Sequence, residues 1–365
     1  MVMKILHIIN SLGCGGAESL LSDLCYIQKE QGFDISIATL KDENSIFKEK
    51  VKQLGVEYIS LSSRLSIYNP IFIFKISQLI KQYDLIHVHL FPAQYWVAIA
   101  KFITRTKTPI ITTEHSTSNR RRDFKIFKYI DKYVYGLYNK IICCSDKAYE
   151  TFRLHFPSIK SVISIPNGIN LKRFKNANTQ DKQKLFNLPN TSCVITMVAR
   201  FQTPKRQDTL IESLKYLPEN YCVVFAGNKL DDPNVVTITS LIKELNLSHR
   251  VCLLGVRNDI PDILKTSDII VLASDYEGLS LSSIEGMSIG KPFIATDVNG
   301  LREVVSGAGI LYEKDNTSQL AANILKLMHD TTYYKNISEQ CAIRASQYDI
   351  HNMANAYLGV YKEFL

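Results

Sequence analysis

Two cations lie close together just after one of the apolar runs in this 365-residue chain. Arg200 follows the run Val194–Val198, and Lys205 comes five residues later, behind Pro204. Cations that converge at the end of a strand can hold a diphosphate and stabilise negative charge that develops on it. Because Lys and Arg are most often solvated surface residues, a solvated pair is the alternative interpretation.

A pair of carboxylates lies in the segment Ser274–Gly286, which follows the apolar run Ile269–Leu272. Glu277 and Glu285 have seven residues between them, and Gly278–Ser282 resemble a loop that enters a helix. The free N–H groups of such a helix bind phosphate, and a carboxylate on its first turn can accept hydrogen bonds from a ribose diol. Paired carboxylates also serve glycoside hydrolysis, and the spacing does not fix their separation.

A glycine-rich segment follows the apolar run Ile5–Ile9 and precedes a helical pattern. It contains Gly13, Gly15 and Gly16. Glycines there allow the backbone to approach a phosphate, although a plain tight turn would use them too. A dinucleotide fingerprint needs a third glycine where Glu18 stands, so an NAD-dependent oxidoreductase is disfavoured.

Two histidines, His87 and His89, are spaced so that they share one face of a strand. They could be two metal ligands, but no third ligand is evident and no D-x-D triplet occurs in the chain. The sequence therefore predicts no metal site and no cofactor. We expect His87 in the core and His89 at the end of its strand, lining a cleft.

Charge is distributed unevenly along the chain. Residues 1–175 contain 25 Lys/Arg and 14 Asp/Glu, a net charge of +11, and residues 176–365 contain 18 and 21, a net charge of −3. The stretch Asn119–Tyr138 interleaves cations with aromatic side chains. It predicts a surface, through Arg120, Arg121 and Arg122, for anionic lipid headgroups or for the diphosphate of a lipid-linked acceptor. The alternative is a core-packed helix with a solvated basic face. No nucleic-acid motif accompanies this charge, so nucleic acid is not an expected partner.

Short β-branched apolar runs alternate with helical patterns through both halves. This alternation predicts parallel sheets that are covered on both faces, in two doubly wound domains, with ligands beyond the carboxyl ends of the strands. The predicted strands are Ile5–Ile9, Ile35–Thr39, Tyr58–Leu61, Leu85–His89, Ile110–Thr113, Ile141–Cys144, Ile163–Ile165, Val194–Val198, Cys222–Ala226, Val251–Leu254, Ile269–Leu272 and Phe293–Thr296.

Three segments follow from this pattern. We expect a first domain over residues 1–170, a second over 171–348, and a terminal helix over 349–365 that crosses back to the first domain. No apolar run is long enough to span a bilayer, no signal peptide is evident, and the eight cysteines form no C-x-x-C pair. A cytoplasmic protein, peripheral at the inner face of the membrane, is the resulting expectation.

Taken together, five segments in this order and spacing resemble the retaining glycosyltransferases of family four, which have the GT-B fold of two Rossmann-like domains facing a cleft. The segments are Gly15-Gly16-Ala17-Glu18, Thr113-Glu114-His115, Ile165-Pro166-Asn167-Gly168-Ile169, Arg200 with Lys205, and Glu277 through Glu285, which continues to Thr296. The chain departs from the family pattern at Asn170, where Asp is frequent, and at Arg302, where Pro is common.

The resemblance implies a role for each matching residue. The first domain would bind the acceptor and the second the nucleotide sugar. The implied catalytic residues are His115, beside the sugar, Arg200 and Lys205, on the donor diphosphate, and Glu277, on the sugar hydroxyls. The implied substrate-binding residues include Gly15 and Gly16 at the diphosphate, Glu285 at the ribose, and Val256 and Arg257 along the base. Asn167 and the backbone amides of Gly278, Leu279, Ser280 and Leu281 complete the set, the amides at the phosphate and sugar.

The implied activity is retaining, metal-independent transfer of a hexosyl or N-acetylhexosaminyl group. The expected donor is a UDP-sugar and the expected acceptor a glycan, lipid-linked, in polysaccharide or glycan assembly. Another GT-B enzyme, such as a sugar-nucleotide epimerase or a sucrose-type synthase, and a non-catalytic nucleotide-sugar binding protein remain alternatives.

Overall fold

The structure is a computed structural model that describes residues 2–13, 15–115 and 124–364. The chain divides into two compact units. The first unit comprises Met1–Gly168 together with Ile350–Leu365, and the second comprises Ile169–Asp349. Each unit is an α/β sandwich built on one sheet.

Within the described residues, the first unit contains a seven-stranded parallel sheet in the order β3-β2-β1-β4-β5-β6-β7. Its strands are β1 (Lys4–Ile9), β2 (Asp34–Thr39), β3 (Glu57–Ser60), β4 (Leu85–His89), β5 (Ile110–Glu114), β6 (Lys140–Cys143) and β7 (Val162–Ser164). The helices between them are α1 (Gly16–Glu30), α2 (Ile46–Gln53), α3 (Ile71–Leu79), α4 (Ala93–Thr104), α5 (Lys125–Gly136) and α6 (Asp146–His155).

The strand order of the first unit reverses between β1 and β4. All five residues of β4 are buried, as expected for a strand that helices cover on both faces. β1 and β4 pair in parallel with His7 directly opposite His87. In such sheets the point of reversal opens a crevice at the carboxyl ends of the strands, where ligands bind.

The second unit contains, among its described residues, a six-stranded parallel sheet in the order β10-β9-β8-β11-β12-β13. Its strands are β8 (Cys193–Val198), β9 (Tyr221–Ala226), β10 (Val251–Leu253), β11 (Ile269–Leu272), β12 (Phe293–Thr296) and β13 (Ile310–Tyr312). Its helices are α7 (Leu171–Lys175), α8 (Lys182–Phe186), α9 (Gln207–Ser213), α10 (Pro233–Glu244), α11 (Ile260–Thr266), α12 (Leu281–Ser288), α13 (Arg302–Val305), α14 (Thr317–His329) and α15 (Thr331–Ser346).

The last helix, α16 (Ile350–Lys362), belongs to the first unit. It packs against α1, and its buried face includes Tyr357 and Tyr361. The Tyr361 hydroxyl accepts a hydrogen bond of 3.0 Å from the Gln28 amide on α1. A hydrogen bond between fully buried side chains therefore joins α16 to α1.

The predicted α/β class with two parallel sheets is confirmed, and each predicted strand corresponds to an observed one. The sequence did not reveal β13, because its three residues between Gly309 and Glu313 form too short a run to stand out. No helix among the described residues has both the length and the apolarity that a bilayer crossing needs.

Candidate active site

The candidate site of the second unit lies where β8 and β11 end, on either side of the reversal in strand order. Lys205 lies in a short 3₁₀ turn after β8, and its Nζ is 2.5 Å from Glu277 Oε1 in the loop after β11. Ser274 Oγ donates to the same carboxylate oxygen at 2.7 Å. Both members of the ion pair are largely buried, so Glu277 fixes the position of the ammonium, which keeps N–H donors for a phosphate.

Arg200 is exposed at the end of β8, and hydrogen bonds hold the backbone that carries it. The Gln207 side-chain amide donates to the carbonyl oxygen of Arg200 at 3.0 Å. The next residue, Phe201, donates its backbone N–H to Asn228 Oδ1 at 2.9 Å. The guanidinium therefore projects from an ordered loop. The sequence pattern does not reveal the two supporting side chains, because Gln207 begins the next helix and Asn228 follows a different strand.

Glycine permits the close approach of the loops after β11 and β12. Gly300 has φ +86°, and a Cβ there would lie 2.2 Å from the carbonyl oxygen of Glu277 and 2.5 Å from that of Gly278. The Glu277 N–H donates back to Asn299 at 3.2 Å. The loop at Asn299 and Gly300 therefore packs directly against the backbone of Glu277, and only glycine fits at position 300.

The start of α12 lies next to this loop. Ser280 is its N-cap, and its hydroxyl oxygen accepts a 3.3 Å hydrogen bond from the Ser283 N–H. The half-buried Gly278 and Leu279 precede the cap, and Leu281 begins the helix. Unpaired N–H groups and the helix dipole make this end favourable for an anion.

Glu285 is half-buried on α12. Because the helix begins at Leu281, Glu285 opens the second turn, whereas the sequence placed it on the first. A side chain on Gly286 would approach the Phe293 ring to 2.8 Å, so α12 lies close to the sheet at this point.

A second ionic cluster, which the sequence pattern does not reveal, connects the same two loops. Arg206, with φ +52°, donates to Asp208, to Asp275 and to Asp315. Lys314 also contacts Asp275, at 2.8 Å. This cluster anchors the turn that follows Lys205, because Arg206 is its direct neighbour.

The loop after β10 contains the residues predicted to lie along the base. Val256 is exposed, and Gly255 has φ +70°. The Arg257 guanidinium donates two hydrogen bonds to Asp259, of 2.8 and 2.5 Å, and this contact lowers the pKa of the Asp259 carboxyl. The Arg257 side chain is therefore committed to its own loop, and the backbone around Val256 is the part available to a ligand.

In the first unit, His115 follows the carboxyl end of β5 and is partly exposed. Its Nε2 lies 3.1 Å from Nδ1 of His89, which is only 2% exposed and lies inside the unit instead of lining a cleft. The His89 Nε2 in turn lies 3.0 Å from Nδ1 of His7. Burial lowers the pKa of His7 and of His115 to about 4.

His87 completes a compact histidine cluster, in which nitrogens of His7, His87 and His89 all lie within 4.8 Å of one another. Its own nitrogens lie 2.7 Å from the Tyr361 hydroxyl and 2.8 Å from the Thr113 hydroxyl. The sequence reasoning found no third histidine because His7 is brought in by strand register from a distant part of the chain.

The glycine-rich segment leads into α1, with Gly15 as its N-cap. The Glu18 carboxylate lies against Gly15, 2.2 Å from the place that a Cβ would occupy. An acidic side chain therefore lies at the helix start where Gly15 and Gly16 were expected to meet a diphosphate.

Asn167 lies near the end of the first unit and is 5% exposed. Its backbone N–H donates to Cys144 at 3.0 Å, and its Oδ1 has no hydrogen-bond partner among the described residues. Arg120, Arg121 and Arg122 lie outside the described residues.

The second unit carries the residues expected at the donor: Arg200 and Lys205 follow β8, the 277–280 loop follows β11, and Leu281 and Glu285 lie on α12. Among them, the structure shows direct contact between Lys205 and Glu277. The predicted site residues of the first unit are Gly15, Gly16, His115 and Asn167. The structure also shows a buried polar cluster in this unit, which links His115 to the interior.

Both halves of the chain match known families. Residues 14–173 match the family described as Glycosyltransferase Family 4, and residues 178–343 match Glycosyl transferases group 1.

Similar proteins include several bacterial enzymes. An Escherichia coli protein named UDP-Gal:alpha-D-GlcNAc-diphosphoundecaprenol alpha-1,3-galactosyltransferase is 30% identical over 267 residues, covering 68% of this chain and 67% of that protein. A Campylobacter jejuni protein named N,N'-diacetylbacillosaminyl-diphospho-undecaprenol alpha-1,3-N-acetylgalactosaminyltransferase is 30% identical over 209 residues, 56% of this chain and 53% of that protein.

Solved structures share the fold over almost the full length. Anabaena Alr3699/HepE in complex with UDP and glucose superimposes with a TM-score of 0.87 at 23% identity, covering 99% of this chain and 100% of that one. TarM superimposes with a TM-score of 0.78 at 14% identity, covering 99% of each chain.

Proposed function

Because this chain belongs to glycosyltransferase family 4 and has the GT-B class of fold, we propose that it transfers a sugar from a UDP-sugar to a lipid-linked glycan acceptor in polysaccharide assembly. The names of the Escherichia coli and Campylobacter jejuni relatives support the acceptor, since both contain diphosphoundecaprenol. The Escherichia coli name also contains UDP-Gal, and the Anabaena protein was solved with UDP and with UDP-glucose. These names favour a uridine nucleotide as the donor.

The ion pair between Lys205 and Glu277 is the observation that best supports this proposal. When a sugar leaves a nucleotide, negative charge develops on the diphosphate, and a cation already held in place stabilises it without reorganisation. Lys205 is held by Glu277 and Ser274, while Arg200 projects from an ordered loop beside it. The start of α12 adds N–H donors on the same side of the sheet.

We propose that these groups provide the charge stabilisation without a metal ion. Two cations and a helix start would flank the diphosphate in this proposal, and the chain has no D-x-D triplet of the kind that binds a metal diphosphate. Glu277 would accept hydrogen bonds from sugar hydroxyls through the oxygen that Lys205 does not take. Glu285 would accept from the ribose, and Val256 would lie along the base.

Transfer with retention of configuration is the second part of the proposal. The acceptor hydroxyl attacks the face from which the diphosphate departs, and its proton passes to a leaving phosphate oxygen. No side chain needs to form a covalent intermediate in this scheme. In the first unit, His115, Asn167 and the segment at Gly15 and Gly16 would contact the carbohydrate or the diphosphate. For Gly15, that requires the flexible Glu18 side chain to move away.

A cytoplasmic location at the inner face of the membrane would suit such an acceptor. The surface formed by α4 and α5 supports this, and we name it the α4–α5 surface. Its exposed apolar side chains include Phe102 and Ile103 on α4 and Tyr129 and Tyr133 on α5, and the Phe102 and Tyr133 rings lie 6.1 Å apart. Exposed cations accompany them at Arg105, Lys107, Lys128 and Lys132.

The charge on the α4–α5 surface suits an anionic bilayer. The one acidic residue of α5, Asp131, is fully buried, so it does not offset the exposed lysines. Aromatic rings with lysine and arginine nearby are typical of interfacial membrane binding. Arg120, Arg121 and Arg122, which two residues separate from α5 in the sequence, would add to this attraction.

The reaction product provides the test. The purified protein is incubated with a UDP-α-sugar and a short lipid-linked acceptor, and proton NMR then identifies the anomeric configuration of the new linkage. We expect an α linkage and the release of one UDP for each sugar transferred. A β linkage would overturn the retaining mechanism, and release of an epimerised sugar without acceptor would favour an epimerase.

A further inference from the structure

A continuous chain of hydrogen bonds runs from α1 across the sheet of the first unit to His115. Gln28 Oε1 lies 2.8 Å from His7 Nε2, His7 Nδ1 lies 3.0 Å from His89 Nε2, and His89 Nδ1 lies 3.1 Å from His115 Nε2. Gln28, His7 and His89 are at most 2% exposed, whereas His115 is partly exposed at its end. We name these four residues the histidine relay.

The orientation of the Gln28 amide sets the direction of donation along the relay. A neutral imidazole has one N–H donor and one acceptor nitrogen, so the role of one nitrogen sets the role of the other. The Gln28 amide donates to the Tyr361 hydroxyl, and its carbonyl oxygen therefore accepts from His7 Nε2. His7 Nδ1 must then accept from His89, and His89 Nδ1 must accept from His115.

The contacts around Tyr361 are consistent with this direction. Its hydroxyl accepts from Gln28, so its single proton is free to go to His87 Nδ1, 2.7 Å away. His87 then donates through Nε2 to the Thr113 hydroxyl at 2.8 Å. Each donor in this buried region therefore faces an acceptor, both along the relay and along the path from Tyr361 through His87 to Thr113.

The consequence for His115 is a fixed tautomer. Its Nε2 carries the proton and donates to His89, and its Nδ1 is left as an acceptor. Among the described residues, no group hydrogen-bonds this Nδ1. Because desolvation keeps the histidines of the relay neutral, that lone pair remains unprotonated at neutral pH.

We propose that the histidine relay holds His115 in the Nε2–H tautomer, so that its Nδ1 accepts a hydrogen bond from a hydroxyl group of bound carbohydrate. Gln28, His7 and His89 are positioning residues in this arrangement, and only His115 touches the substrate. The identity of the ligand as a carbohydrate rests on the proposed function, whereas the tautomer does not. An acceptor fixed in this way selects for a hydroxyl, because a deoxy or fluoro sugar cannot donate to it.

The tautomer can be read directly from the protein labelled with ¹⁵N-histidine, by long-range proton–nitrogen correlation spectra at neutral pH. His115→Ala assigns the signals. We expect a protonated Nε2 and an unprotonated Nδ1 in the wild-type protein. In Gln28→Met, which removes the carbonyl acceptor at nearly constant volume, we expect His115 to become a mixture of tautomers.

A second variant covers the case in which Gln28→Met does not fold. His7→Phe interrupts the relay at the next position, and the same loss of tautomer preference is expected. Wild-type His115 protonated at Nδ1, or an unchanged preference in a folded variant, would overturn the relay. Because no substrate is present, this result is independent of whether the protein transfers a sugar.

Transfer kinetics provide the functional half of the test. We expect Gln28→Met to lower kcat/KM by about fivefold, the effect of losing one neutral hydrogen bond, while the affinity for UDP is unchanged. A donor that lacks the contacted hydroxyl should lose this difference between wild type and variant. A mixed tautomer with unchanged kcat/KM would overturn the contact with the carbohydrate, and no transfer in wild type would instead count against the proposed function.

Discussion

At the scale of single residues, Lys205 connects the local structure to the chemistry. Its ammonium pairs with Glu277, which also accepts from Ser274, so the cation is placed before any ligand arrives. The pair is shielded from water, and a charge in such a place interacts more strongly with a neighbouring diphosphate than a solvated one does. Arg200 adds a second cation from a loop whose backbone is hydrogen-bonded.

We therefore expect Lys205→Ala to lower kcat by roughly 10²–10³, the usual effect of removing one preorganised charge-stabilising group. UDP release in the presence of acceptor measures this. Lys215→Ala is the matched control, because Lys215 is an exposed lysine of the same unit. Turnover of Lys205→Ala within a few-fold of the control would remove this residue from the mechanism.

The sequence was sufficient to find some of these residues and not others. Lys205 and Glu277 stand in loops directly after apolar runs, where the rule for parallel sheets directs attention. His7 stands inside a strand, and its partners are 21 and 82 residues away, so only the strand register brings them together. Arg206 was missed for a similar reason, since its partner Asp315 is 109 residues away.

At the scale of elements, neighbouring loops at the ends of the strands hold one another in place. Gly300 in the loop after β12 lies against the carbonyl oxygens of Glu277 and Gly278. Asn228 in the loop after β9 holds the backbone after Arg200. The charged side chains are therefore positioned by backbone contacts between loops of adjacent strands.

We expect Gly300→Ala to lower kcat by tenfold or more, because the new Cβ would overlap the backbone that carries Glu277 and force it to move. Gly290→Ala is a matched control. Gly290 also has positive φ, at +74°, but a Cβ there meets nothing within 4 Å. The control should lose about 1–2 kcal/mol of stability from left-handed strain and keep its activity. Equal activities of the two variants would contradict this role for Gly300.

The histidine cluster of β1 and β4 makes the stability of the protein depend on pH. Desolvation holds the pKa of His7 at about 4, against 6.5 for an ordinary histidine, and holds the pKa values of His87 and His89 well below 6.5. Between these limits the unfolded chain binds more protons than the folded one, so the free energy of unfolding falls as pH falls from about 6.5 towards 4.

Urea unfolding at pH 7.5 and pH 5 measures this dependence. For His7 alone, linkage gives a loss of about 2 kcal/mol over that interval. Stability should change little above pH 7.5, where the histidines are almost entirely neutral in both states. Equal stability at pH 7.5 and pH 5 would show that the buried cluster is already protonated or is not formed.

At the scale of the whole molecule, the charge is concentrated in residues 1–175, with a net +11 against −3 in the remainder. The α4–α5 surface carries part of this charge next to exposed aromatic rings. The sequence predicted a basic aromatic stretch here, but Phe102 and Ile103 come from another part of the chain and join it only through the packing of α4 against α5.

We expect the protein to bind vesicles that contain phosphatidylglycerol, and the double variant Phe102→Ser/Tyr133→Ser to bind about tenfold more weakly, because less apolar area enters the interface. Co-sedimentation measures both. Tyr216→Ser is the control, since Tyr216 is an equally exposed aromatic residue of the second unit. Equal binding by the double variant and the control would exclude the α4–α5 surface as the contact.

The proposed sugar transfer is tested by the mass of a lipid-linked acceptor after incubation with a panel of UDP- and GDP-sugars. We expect the wild-type protein to add one sugar from a UDP donor, and the Lys205→Ala variant to add it at least a hundredfold more slowly. An acceptor of unchanged mass with every donor, from a protein that binds UDP, would contradict it.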